Sequence, residues 1–317
     1  MATARALRDV PAGPDEIAPV SAPPHVRVPP PPADLDVRFG PGSLLWEYIG
    51  DVRVLLVLGH ALLIQTAHPV IGAGVGDHSV FREDPWGRLE RSLMPIVDLV
   101  YNEDPVAVGT WIRNRHVTIK GTRPDGVAYH SLHPEAYWLV LATGFDALVQ
   151  QRAKYGRPLS TAEIAGAYRE FRGLWLLVGL REEQVPETVE EFWRVYHRLL
   201  DERLVRTTTV DDVFTTIRNV PPPPELAKLP GAGALWPLAR PLISRVLLNQ
   251  MRWQMRPADR ERLGVSWSAT DEAAARSIAT VVRTVFRVVP RPLRWVRPAR
   301  QGHRREGTLL RASRSGG

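Results

Sequence analysis

Pro134-Glu135-Ala136-Tyr137-Trp138-Leu139-Val140-Leu141-Ala142-Thr143-Gly144-Phe145-Asp146-Ala147-Leu148 decides the fold class of this chain. Trp138, Leu141, Phe145 and Leu148 recur at helical intervals, and the stretch from 135 to 155 is too long and too evenly apolar for a strand. The same period continues outward on both sides. Trp86, Leu89, Leu93, Ile96, Val97 and Val100 predict a helix over 86–101. Ser160 with Glu163 three residues later is a capping box that opens a helix over 160–179, closed by Gly179. Helices are predicted over 187–204 and 209–219. Beyond the Pro221–Pro224 connector they are predicted over 235–250, 256–263 and 270–289. A hairpin is expected only within Val117–Tyr129, around Pro124-Asp125-Gly126. The expected class is all-α: one bundle-like domain of many helices over 39–289. A Pro-rich leader, 1–38, is expected to be extended and disordered, and 290–317 forms an Arg-rich tail.

Composition sets the outer limits. The chain has 317 residues, 44% hydrophobic and 24% charged, enough to bury a sizeable core. It has no cysteine, which excludes disulfides, thiolate metal sites and a cysteine nucleophile. The net charge of +7 is concentrated at one end: ten Arg and one Glu over 283–317 supply +9, and the rest sums to −2. A nucleic-acid groove would spread its cations over a folded surface, so no nucleic-acid partner is expected. The apolar run Val52–Ile64 carries Arg53 and His60 and is too short to span a bilayer, so it reads as a buried helix. With no apolar leader at the start, a cytoplasmic location is expected. No phosphate-cradling loop, His-Glu-x-x-His or Gly-x-Ser-x-Gly motif occurs. Gly72-Ala73-Gly74-Val75-Gly76 lacks the strand and spacing of a dinucleotide loop.

Several blocks in fixed order carry a family resemblance. They are Leu62–Pro69 with Gly74–Ser79, Phe81–Leu89, Arg113-x-x-His116-x-x-Ile119-Lys120-Gly121, and His133-Pro134-Glu135 leading into the long helix. Gly156–Ser160, Gly179-Leu180 to Val185-Pro186, and Arg256-Pro257 with Leu263-Gly264 follow. Together they resemble the DUF2236 family of MpaB-like and rubber-oxygenase-like (latex-clearing protein) haem proteins over residues 40–285. The resemblance implies a helical fold enclosing a pocket for haem b, with dioxygen as co-substrate. It also implies an apolar organic substrate that is oxygenated or oxidatively cleaved. It further implies distal polar groups at Arg113 and His116 and an axial histidine on the long helix. At that axial position this chain has Leu141, which cannot ligate iron.

His133 and His130 are the candidate substitute metal ligands. His133 lies eight residues before Leu141, about 12 Å along a helix. It also stands where a helix-start residue is expected, just before Pro134. His68 and His78 are candidate cofactor-binding residues, although buried histidines that fix helix junctions are the simpler expectation. His60, His197 and His303 read as isolated. Three functions remain open: a haem-dependent oxygenase, a haem-less family member binding an apolar ligand or partner, and a non-haem iron oxygenase using His68, His78 or His116. The tail offers one further expectation, peripheral contact with an anionic membrane, against a simply solvated basic end.

Overall fold

The computed structural model describes residues 26–315, with side chains as far as Gly307. Residues 1–25 of the expected leader lie outside the described residues. The described residues form fourteen helices: α1 (Leu44–Tyr48), α2 (Leu55–Ala67), α3 (Pro69–His78), α4 (Pro85–Tyr101), α5 (Pro105–Arg115), α6 (Pro134–Tyr155), α7 (Thr161–Leu177), α8 (Val189–Arg203), α9 (Thr208–Arg218), α10 (Pro224–Ala227), α11 (Ala232–Trp253), α12 (Pro257–Arg262), α13 (Ala269–Val288) and α14 (Arg297–Ser315). Strands β1 (Lys120–Thr122) and β2 (Ala128–His130) form the expected hairpin, pairing Gly121 with Tyr129. The fold is all-α.

α6 is the axis of the molecule. Its 22 residues are buried on nearly every side, as a helix without a polar face must be. α2 lies along one side of it. On the other, α7 and α8 contribute an aromatic cluster in which Trp138, Trp175, Phe145, Phe192 and Tyr196 pack at ring separations of 5.0–6.5 Å. Where α5 meets α7, the helices come so close that a Cβ on Gly109 would lie 1.7 Å from the Leu177 carbonyl oxygen. Only glycine fits that crossing.

Capping follows the sequence in most places. Ser160 and Glu163 form their box, and Asp84 accepts the Gly87 N–H at the start of α4. The Asp84 carboxylate takes its cation from Arg91, at 3.0 Å; Arg88 turns instead to the Ser79 hydroxyl. The helix at 209–219 opens one residue earlier than expected, on Thr207.

Described parts of both the leader and the tail pack where the sequence suggested loose segments. Val28 is fully buried, and its N–H donates to the Leu132 carbonyl at 2.9 Å. The Pro29 carbonyl lies against Gly179, whose φ of +98° closes α7. At the other end, the prolines do break the helix, but α14 then docks on α4. Ala299 and Gly302 are buried there, and a Cβ on Gly302 would meet the Tyr101 ring at 2.7 Å. His303 stacks on Trp295 at 3.9 Å and accepts from the Trp46 indole at 3.3 Å, so it is not an isolated residue. No single described helix is long and apolar enough to cross a membrane.

Candidate functional site

The side of α6 facing α2 is a polar seam inside an apolar core. His68 ends α2 in an extended conformation, fixed by Pro69 opening α3. Its Nε2–H donates to Glu135 in the first turn of α6, at 3.2 Å, and His68 is 2% exposed. Arg203, at the end of α8, completes the set with two parallel bonds to the same carboxylate, at 3.1 and 3.2 Å. Burial raises the Glu135 pKa, but the His68 and Arg203 bonds outweigh it and bring it down to about 2. Further along, Gln65 donates to the Thr143 hydroxyl at 2.7 Å. His60, which the sequence left isolated, pairs with Asp146 at 3.3 Å with both side chains buried. Sequence reading missed Glu135 and Asp146 as structural residues. The available signal was a carboxylate on a helix too apolar to leave it unpaired.

The opposite side of α6 is different. Successive residues turn about 100° around a helix, which sets Tyr137, Leu141 and Leu148 nearly opposite Thr143 and the α2 contact. Leu141 is 5% exposed and sits within the main core. His116 reaches this side: its ring meets Tyr137 edge-on at 5.6 Å. The His116 Nδ1 lies 2.8 Å from the Ile112 carbonyl, which can only accept, so Nδ1 holds the proton and Nε2 keeps its lone pair. Burial is the main cause lowering the His116 pKa; the Ile112 bond opposes it, while Arg88 and Arg115 add to it. The imidazole is therefore neutral at neutral pH. Beside it, the Tyr137 hydroxyl is buried with no partner among the described residues, and burial raises its pKa.

The remaining candidates fall elsewhere. Arg113 and His116 diverge at the end of α5 although they are three residues apart. The Arg113 guanidinium donates twice to the Val28 carbonyl, at 3.1 and 3.0 Å, and so fastens the N-terminal segment. His133 caps α6 by backbone geometry alone, and the His130 ring lies 6.0 Å from it. His78 is exposed, where a buried junction was expected, and donates to the Lys120 carbonyl at 3.2 Å. Asp77 neither orients it nor caps a helix; it accepts from the Tyr129 hydroxyl at 2.6 Å. The structure thus gathers His116 and Leu141 around Tyr137 and pairs His130 with His133. It puts His68 on the far face of α6 and His78 outside on the hairpin.

A family model for the catalytic domain of ER-bound oxygenase mpaB/B' and rubber oxygenase matches residues 46–284. The chain belongs to that family. No curated protein and no solved structure matches it. The matched span begins in α1 and ends inside α13, so it takes in α6 and both of its faces.

Membership in this oxygenase family raises the question of a haem, which can be tested on the donor set. On the face of α6 where the resemblance places the axial ligand, Tyr137, Leu141, Gly144 and Leu148 follow one another and none offers a nitrogen. Leu141 has no lone pair, and His133 stays at the helix start, about 12 Å away along the axis. Clefts of about 280 and 310 Å³ lie on the surface, between α4 and α14 and beside Asp212 of α9. A haem held from α6 does not fit these residues. Nor do His68, His78 and His116 converge, and no group of three metal-ligating side chains occurs among the described residues.

Proposed function

We propose that this member of the oxygenase family binds an apolar organic molecule against the Tyr137–Leu141 face of α6 and carries no haem on that helix. Leu141 is the observation that carries the reading: an apolar side chain stands where the resemblance calls for an iron ligand. The face it belongs to is apolar apart from one hydroxyl. A ligand entering there would meet that hydroxyl, which donates, and the neutral His116 imidazole, which accepts. A ligand carbonyl would take the hydrogen bond from Tyr137 alone, and a ligand hydroxyl could use both groups, on an otherwise apolar molecule.

The test is a visible spectrum of the purified full chain after haemin reconstitution, with porphyrin and iron quantified. A parallel titration follows intrinsic tryptophan fluorescence against a long-chain alkene and the corresponding ketone. The expected result is no Soret band and saturable quenching, tighter for the ketone. A stoichiometric Soret band would overturn the haem-less reading.

One observation favours a second reading, a haem b oxygenase using dioxygen on the same class of substrate. The His116 ring packs edge-on against Tyr137 and its Nε2 keeps a lone pair, so His116 is the candidate to replace the missing ligand. In that case a Soret band appears in the native chain, disappears in His116→Ala and survives in His68→Ala.

A further inference from the structure

The first half of α11 is a ridge of uncovered leucines. Leu235, Leu238 and Leu242 recur at i, i+3 and i+7, so they share one face, and they are 65%, 79% and 67% exposed. Leu229, just before the helix, is 57% exposed. The other face is fixed to the body. The Trp236 indole donates to the Val220 carbonyl at 3.0 Å, and the Ser244 hydroxyl donates to the Arg218 carbonyl at 3.0 Å. The ridge is therefore held rigidly, with its apolar side outward. A folded chain exposes such a row only where something covers it.

Charge identifies the cover. α11 itself carries Arg240, Arg245 and Arg252 and no acidic residue. Among the described residues neither Arg240 nor Arg245 has an acidic partner; Arg245 is exposed and borders the leucine face, while Arg240 lies on the side of Trp236 and Ser244. A second copy docking by two-fold symmetry would set Arg245 against its own copy. An anionic bilayer surface complements it and accepts the leucines.

Geometry sets the depth. Residues 232–243 span about 18 Å of helix, well short of a hydrocarbon core of about 30 Å. Pro237 and Pro241 have no N–H, which leaves the carbonyls of Gly233 and Pro237 without helical donors. Those carbonyls need water, which is present among headgroups and absent from the acyl interior. We infer that the Leu235–Leu242 face of α11 is a peripheral docking surface for anionic membranes, lying in the headgroup layer without crossing. The inference is independent of whether the chain binds haem. It also moves the contact away from the Arg-rich tail, whose helix α14 is already packed on α4.

The experiment is co-sedimentation of the full chain with vesicles of phosphatidylcholine alone, or mixed with phosphatidylglycerol, at low and high salt. The expected result is binding to the mixed vesicles that weakens with salt. Combining Leu235→Glu, Leu238→Glu and Leu242→Glu should lower it at least tenfold with the helical circular dichroism unchanged. Exchanging Arg291, Arg294, Arg297 and Arg300 for Gln should retain most of it. Because the chain has no cysteine, Leu238→Cys takes a single environment-sensitive dye, whose emission should shift to the blue on the mixed vesicles only. Three results would each overturn the inference: no binding by the native chain, equal binding by the triple variant, or a native dimer that the triple variant dissociates without any vesicle binding.

Discussion

On the α2 side of α6, each buried carboxylate has a side-chain partner: Glu135 has His68 and Arg203, and Asp146 has His60. On the other side, Tyr137 buries a hydroxyl with no partner, and Leu141 occupies the place of an expected ligand. A network that satisfies itself holds helices together and has no capacity left for a ligand. A buried donor beside a neutral imidazole is unfinished in the absence of one. The α2 side therefore carries stability and the proposed recognition falls to the other, although His68, expected from the sequence among the cofactor-binding residues, sits on the stabilising side.

Breaking the seam should have the largest effect. Glu135→Ala leaves a buried imidazole and half-buried guanidinium without their anion, a loss of about 3–5 kcal/mol when one member of a buried pair is removed. Urea denaturation should show the midpoint falling with an unchanged slope. The same carboxylate gives a pH signature. Its folded pKa, about 2, lies below the ordinary value of 4.5, so its contribution is complete above that ordinary value. The contribution is lost as pH falls from about 4.5 towards 2, and amounts to about 3 kcal/mol. Glu135→Gln should flatten the stability profile over that window. A profile as steep as the native one would remove Glu135 from its role.

How these two faces relate to the sequence explains what could be read in advance. Helix positions were legible because apolar spacing and capping act locally: Ser160 with Glu163 closes its box within one turn. The all-α class and the family blocks followed from the same local grammar. The pairing of His60 with Asp146 spans 86 residues, and no local rule reports that. Arg113 and His116 illustrate the limit from the other direction. Their spacing puts them on one helical face, but α5 ends at Arg115. One side chain then turns to the Val28 carbonyl and the other to Tyr137. Val28 itself belongs to a Pro-rich stretch whose composition speaks for an extended chain but not for what that chain packs against.

The ligand side can be sharpened by supplying what it lacks. Leu141→His exchanges an apolar core side chain for an imidazole, at a cost of about 1–3 kcal/mol. If this face is the counterpart of the family's haem face, the variant should gain a Soret band on haemin reconstitution while the native chain shows none. A variant that folds and remains colourless would mean that the face is closed to a macrocycle whatever residue stands at 141, which would restrict the native site to a smaller ligand.

The smallest effect should come from Tyr137→Phe, and its sign is the informative part. Elsewhere in this core a tyrosine hydroxyl has an acceptor, as Tyr168 has in the Pro186 carbonyl at 2.7 Å. Removing that group should be destabilising by about 1 kcal/mol. The Tyr137 hydroxyl has no partner among the described residues, so its removal relieves a desolvation penalty, and the variant should be as stable as the native chain or up to about 1 kcal/mol more so. Binding should move the other way: a ketone probe that accepts from Tyr137 should bind about tenfold more weakly to Tyr137→Phe, while the parent alkene binds equally well to both. Unfolding and titration curves on the same two proteins read both quantities. Stability kept and ketone affinity lost is the pattern expected of a group retained for a ligand. Loss of stability with affinity unchanged would make Tyr137 an ordinary core residue and return the recognition site to another part of the molecule.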